Sequence, residues 1–164
     1  MIGDQTSPTI AIVGAGMSGL CMGEALKQAG YRNFTIYEKA EEVGGTWREN
    51  RYPGLTCDVP SRFYSFSFAP NPNWSCMFSP GPEIQDYFTR IADDRGLRQH
   101  IRFGTEIVDA CWQDGRWELR AADGATAGAD VLVTATGVLH HPKMPDIPGQ
   151  EAFAGKAFHS ARWD

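Results

Sequence analysis

The stretch TIAIVGAGMSGL, Thr9 to Leu20, decides the fold. Its opening run, Thr9 to Val13, is rich in β-branched residues and predicts a short strand. Gly14, Gly16 and Gly19 follow in the spacing G-x-G-x-x-G. From there apolar residues recur at Met17, Leu20, Cys21, Ala25 and Leu26, a helical spacing, until Gly30 supplies a left-handed stop. A second run, Phe34 to Tyr37, reads as another strand and ends on Glu38. Strand, tight turn, helix and strand make a βαβ unit, the opening of a Rossmann-like α/β fold.

Each residue type has a chemical reason. Gly14 permits the tight turn, Gly16 lets the backbone approach a pyrophosphate, and Gly19 lets helix and strand pack closely. The phosphates then rest on the helix N-terminus, whose free N–H groups and positive dipole end favour anions. Glu38, nineteen residues after Gly19, can accept hydrogen bonds from an adenosine ribose. It would repel a 2′-phosphate, so the site is expected to take FAD or NAD over NADP.

Outward from this unit, residues 39–68 contain too many Gly and Pro for a regular element, and their aromatic residues follow no single period. Aromatics argue against disorder, and a long ordered loop is usually functional. Gly44 and Gly45 would bring backbone near a ligand, while Thr46 and Trp47 offer a hydroxyl and a broad flat surface suited to a flavin.

These residues resemble the class B flavoprotein monooxygenases, particularly the Baeyer–Villiger monooxygenases. The resemblance rests on the G-x-G-x-x-G with its Glu38, on G-G-T-W at 44–47, and on Y-P-G at 52–54 with Cys57-Asp58. It extends to the fingerprint F-x-G-x-x-x-H-x-x-x-W followed by Pro or Asp, filled here by Phe153, Gly155, His159, Trp163 and Asp164. The resemblance implies that Gly14, Gly16 and Gly19 hold the FAD pyrophosphate and Glu38 its ribose. It places Thr46, Trp47, Asp58 and Tyr64 near the isoalloxazine, and the backbone of Ile107 at the adenine. Asp58 would be catalytic by helping to place an active-site Arg beside the flavin. Phe153, Gly155, His159, Trp163 and Asp164 would couple two nucleotide-binding domains. Thr56 stands where relatives commonly carry Arg, and Val59-Pro60 replaces a pair that often contains an acid.

The rest of the chain fits an FAD-binding domain of the glutathione-reductase type with a small antiparallel β-meander insert. Residues 82–95 predict a helix whose apolar face is Ile84, Tyr87, Phe88 and Ile91, ended by Gly96. Thr105 to Trp112 and Arg116 to Arg120 form a hairpin across Gln113-Asp114-Gly115, and Ala122-Asp123-Gly124 marks a second turn. Val131 to Ala135 reads as a buried strand before a Thr136-Gly137 turn. Residues 139–149, with three prolines, read as an extended connector. The expected organisation is an FAD-binding domain over 1–137 and a linker over 138–164 carrying the fingerprint.

Composition bounds the rest. With 42% hydrophobic residues among 164, the chain can bury one ordinary core. Lys and Arg number 15 against 20 Asp and Glu, with no basic cluster, so nucleic acid is not an expected partner. No apolar run reaches the roughly 18 residues of a membrane span, and the N-terminus lacks a signal-peptide pattern, so a cytoplasmic setting is expected. Cys21, Cys57, Cys76 and Cys111 form no C-x-x-C pair and are expected to be reduced and buried. His140-His141 has no second ligand pair, so no metal is expected.

The function implied by the resemblance is a monooxygenase using FAD, NADPH and O2 to insert one oxygen atom into a ketone, giving an ester or lactone. An N- or S-oxygenating relative and a non-catalytic FAD-binding module are the alternatives. No second Gly-rich strand–turn–helix follows Gly19 to serve NADPH. The chain is therefore expected to be the N-terminal part of a longer enzyme, inactive alone, with NADPH bound mainly by a domain it lacks.

Overall fold

The computed structural model describes residues 7–139 and 141–164. Four strands form a parallel sheet: β1 (Ile10–Val13), β2 (Phe34–Tyr37), β3 (Ile101–Arg102) and β7 (Val131–Thr134), in the order β3-β2-β1-β7. Three more form an antiparallel meander in sequence order: β4 (Ile107–Gln113), β5 (Arg116–Ala121) and β6 (Thr126–Ala129). The helices are α1 (Met17–Gln28), the single turn α2 (Thr46–Glu49) and α3 (Gly81–Asp94). The expected α/β fold with a β-meander insert is the one observed.

Side-chain alternation along the central strands builds three layers. Ile10 and Ile12 of β1 point to one face with Phe34 and Ile36 of β2, and pack with Leu20 of α1 and Ile84, Phe88 and Ile91 of α3. Ala11 and Tyr37 point to the other face and pack against Leu119 and Ala129 of the meander. The parallel sheet is thus sandwiched between helices and meander, with an apolar cluster on each side.

Two glycines set the seat of α1. The spacing read from sequence puts Cys21 and Ala25 on the buried face, but both are exposed, and the helix buries Gly19, Leu20, Gly23 and Glu24 instead. A Cβ on Gly23 would stand 3.0 Å from Ile36 Cδ1 and 3.3 Å from Leu97 Cδ2, so the helix approaches the sheet through its small residues. Close approach, not hydrophobic spacing, chose the face. Buried Glu24 accepts from Gln28 Nε2 and pairs with Arg95 at 3.4 Å, tying α1 to the end of α3.

The predicted face of α3 is buried throughout, with Ile84, Tyr87, Phe88 and Ile91 all inside the core. Tyr87 reaches beyond the helix to donate to the Ala69 carbonyl at 2.7 Å and accept from the Phe66 N–H at 2.9 Å. Phe66 stacks on Phe68 and Tyr87, and Trp74 leans on Tyr87 at 5.1 Å. These aromatic contacts order the long loop that sequence periodicity leaves without a regular element.

Three expectations need correction. Only Cys57 is buried; Cys21, Cys76 and Cys111 are exposed, because the turn of α1, the loop and the outer face of β4 carry them outward. Among the described residues β7 pairs only with β1, and Val131 and Thr134 are exposed where a buried strand is expected. The loop 39–68 also contains α2, a single turn too short for periodicity to reveal. The hairpin reading holds with the turn one residue shorter, because Gln113 pairs with Arg116: Asp114 and Gly115 both take positive φ, 51° and 81°, as a two-residue turn matched to strand twist requires.

Candidate functional site

A cleft of about 540 Å³ opens at the C-terminal ends of β1, β2 and β7, where open α/β sheets place their ligands. Its floor is the turn from β1 into α1. Gly14 has φ +104°, and a Cβ there would lie 2.5 Å from the Ala135 carbonyl oxygen, so the turn and the end of β7 touch. A Cβ on Gly19 would meet the Gly14 carbonyl oxygen at 1.9 Å, which is the close packing expected of the third glycine. Gly16 differs: a Cβ there would meet only the Gly45 backbone, at an ordinary contact distance of 3.7 Å, at the edge of the cleft. Gly16 is also the N-cap of α1, with no side-chain cap and no acidic residue in the first turn. The first N–H groups of a twelve-residue helix are left to face the cleft, a ready anion site.

Glu38 lies at the end of β2, only 4% exposed, on the cleft wall. Its Oε2 accepts from the Ala15 N–H at 2.8 Å, and its Oε1 accepts from the Ala40 N–H at 3.0 Å and from Arg48 Nη1 at 3.1 Å. A carboxylate has about four acceptor sites, so roughly one remains for a ligand hydroxyl. Arg48 is the residue that sequence reading passed over. It sits one position beyond the G-G-T-W motif with no local pattern to mark it, and only the fold brings it to Glu38.

The opposite wall is built by residues 44–47. The Gly44 N–H donates to the Ala15 carbonyl at 3.1 Å, and Gly45, at φ +53°, comes against Gly16, so two glycine turns meet across the cleft. Thr46 and Trp47 follow on α2 and line the space. Trp47 Nε1 donates to the Tyr64 hydroxyl at 3.0 Å, with the rings edge to face at 5.6 Å. Burial pushes the Tyr64 phenol above its ordinary value; the Trp47 bond opposes this, and nearby Cys57 and Asp58 add to the rise. Ile107, at the start of β4, closes the far side.

Gly14, Gly16, Glu38, Thr46, Trp47, Tyr64 and Ile107 therefore converge on one cleft, with Gly19 packed beneath it. Asp58 does not line it. That carboxylate is exposed and meets the site through its field on Tyr64. Phe153, Gly155, His159, Trp163 and Asp164 lie apart on the C-terminal segment. There the Phe153 ring covers Gly155, where a Cβ would fall 2.4 Å from the ring. His159 Nδ1 accepts from the Ala161 N–H at 3.0 Å, Phe158 meets Trp163 edge to face at 5.1 Å, and Lys156 pairs with Asp164. Trp163 lines a second, open groove shared with Trp47, Arg48 and Thr56. His140 lies outside the described residues; among the described residues no group of three or more His, Cys, Asp or Glu could hold a metal.

A family model described as an NAD(P)-binding Rossmann-like domain matches residues 12–80. The chain is 60% identical over 157 residues to an uncharacterised monooxygenase of Mycobacterium tuberculosis, covering 96% of this chain and 32% of that protein. To a Baeyer–Villiger monooxygenase of Streptomyces coelicolor it is 50% identical, covering 94% and 30%. Among solved structures, it matches an oxidised steroid monooxygenase bound to NADP with a TM-score of 0.84 at 39% identity, covering 97% of this chain and 32% of that one. It matches OTEMO in complex with FAD and NADP with a TM-score of 0.86 at 36% identity, covering 97% and 31%. The chain spans about a third of the length of the curated relatives it matches.

Proposed function

We propose, from the similarity to FAD-binding and Baeyer–Villiger monooxygenases, that the chain holds the FAD of an NADPH-dependent monooxygenase. The proposed reaction inserts one atom of O2 into a small-molecule ketone to give an ester or lactone. One observation carries the cofactor reading: the uncapped N-terminus of α1, with room beside Gly16, opens toward the buried carboxylate of Glu38 across a single cleft. An anion at the helix end and a sugar hydroxyl at the acid are what that pairing accepts.

Bound FAD would supply the redox and oxygen chemistry. Residues of this chain bind and orient it. Gly14, Gly16 and Gly19 shape the turn at the pyrophosphate, Glu38 takes the ribose, and Ile107 borders the adenine. Thr46, Trp47 and Tyr64 wall the flavin end, and their partly buried aromatic surface excludes water there. Asp58 is assigned the flavin-side carboxylate that places a basic group, a role supported by its closeness to the Tyr64 phenol. Glu38 disfavours a 2′-phosphate, so NADPH is bound mainly elsewhere.

The division into an FAD-binding domain over 1–137 and a linker over 138–164 is supported by the loss of regular structure after Gly137, where two short 3-10 turns are the only elements among the described residues. The fingerprint residues on this segment are assigned to coupling between domains, supported by Trp163 reaching the groove beside Trp47 and Arg48. A cytoplasmic setting fits four cysteines without a disulfide. Among the described residues no helix is long and apolar enough to cross a membrane.

The decisive experiment measures flavin uptake and then NADPH oxidation with candidate substrates. Ketone-dependent oxidation with an ester product supports the proposal. Preference for an amine or sulfide would move the protein to the N- or S-oxygenating branch. Tight flavin without NADPH oxidation would leave an FAD-binding module.

A further inference from the structure

The buried ion pair between Arg48 and Glu38 joins two parts of the cleft that sequence keeps separate. Arg48 belongs to α2, the single turn that also carries Thr46 and Trp47, whereas Glu38 ends β2 at the other side of the cleft. Both side chains are nearly closed off from solvent, at 13% and 5% exposure, and Nη1 meets Oε1 at 3.1 Å. The same Nη1 donates to the Glu42 carbonyl at 2.7 Å, and Nη2 meets Glu49 Oε1 at 3.1 Å. A guanidinium held on three sides has one geometry available, and its fork is what a lysine could not reproduce.

We infer that Arg48 is a positioning residue: by holding the Glu38 carboxylate with one acceptor site turned to the cleft, it couples the sugar end of the FAD site to the flavin wall at Trp47. This rests on the FAD reading above. Without Arg48, Glu38 would keep only its two backbone donors, and a buried carboxylate short of its cation turns toward water. α2 would lose its tie to β2 at the same moment. Occupancy of the sugar site and the placing of Trp47 would then no longer be linked. The control over the acid is exerted through Arg48, which itself need not touch the cofactor.

A double-mutant cycle in the purified protein tests this, with FAD affinity read by titration of flavin fluorescence and flavin placement by the visible circular dichroism of the bound cofactor. Arg48→Met is expected to weaken FAD binding about tenfold, the loss of one charge-assisted hydrogen bond, and to alter the visible dichroism. In a Glu38→Gln background the same change is expected to cost less than about threefold, because the carboxylate it positions is gone. Arg48→Lys, which keeps the charge but not the fork, is expected to recover less than half of the logarithmic loss, and Arg48→Gln serves the cycle if the Met variant does not fold. A tenfold loss in both backgrounds, or a dichroism indifferent to Arg48, overturns the coupling. A wild-type protein that takes up no FAD overturns instead the functional reading on which it rests, so the two failures are told apart.

Discussion

At the scale of single residues, the two glycines bracketing the start of α1 have opposite structural reasons, and substitution separates them. A Cβ on Gly19 collides with the Gly14 carbonyl, backbone against backbone, so Gly19→Ala is expected to destabilise the fold by about 1–3 kcal/mol, as overpacking does, and to lower the melting temperature without any ligand. Gly16 adopts extended backbone, φ −79° and ψ −165°, that any residue can take, and its Cβ would meet only ordinary contacts. Gly16→Ala is therefore expected to leave the melting temperature of the ligand-free protein nearly unchanged while weakening FAD at least about tenfold, since the methyl occupies the space a phosphate would use. Equal flavin affinity in Gly16→Ala would remove the pyrophosphate from this turn. His100, stacked on Phe34 at 4.1 Å, gives a second residue-scale test. Its burial, with Lys27 and Arg32 nearby, holds its pKa below the ordinary 6.5 against a backbone bond to Phe34 that raises it. A depressed histidine favours the neutral form when folded, so its contribution is complete above the unfolded value and is lost as pH falls through the folded one. Melting temperature is expected to fall as pH drops below the ordinary histidine value of 6.5, and His100→Gln is expected to flatten that part of the curve.

At the scale of elements, α3 does more than fill the core. Tyr87 is the peg on which the long loop hangs, donating to Ala69 and accepting from Phe66 while Phe66 and Trp74 pack on its ring. Tyr87→Phe keeps the ring and removes both hydrogen bonds, at an expected cost of about 1–3 kcal/mol in denaturant unfolding, because the Phe66 N–H is left buried without its acceptor. Loop proteolysis is expected to accelerate in that variant; an unchanged rate would mean the aromatic stacking alone orders the loop. The helix face on α3 could be read from periodicity, because four large apolar residues at helical spacing have one way to be buried together. The face of α1 could not be read that way, because the signal lay in what was missing, the side chains of Gly19 and Gly23. β3 escaped for another reason: two residues long, it exists only because Ile101 and Arg102 fall beside Ile36 and Tyr37.

At the scale of the whole molecule, the meander and the helices bury opposite faces of one thin sheet, and the cleft is bounded by all three layers. Leu119, 1% exposed, is the centre of the meander's contact, and Leu119→Ala is expected to cost about 2–5 kcal/mol in unfolding. The same variant is expected to weaken FAD, since Ile107 of β4 borders the cleft and is held by the layer that Leu119 anchors. Ligand linkage gives the complementary measurement: FAD at about one hundred times its dissociation constant adds about 2.7 kcal/mol, or roughly 5–10 °C of melting temperature in a chain of this size.

Sequence by itself determined the βαβ unit, the tight glycine turn, the acid at the end of β2, the hairpin at Asp114-Gly115 and the buried face of α3. Each is written in contiguous residues, where turn chemistry and side-chain period act within a few positions of one another. The tertiary structure alone decided which face α1 buries, that β7 lies beside β1, that three of four cysteines reach solvent, and that Arg48 grips Glu38. Those outcomes depend on how separate elements approach one another in space, and backbone approach and ion pairing between elements leave no periodic trace in the order of the residues.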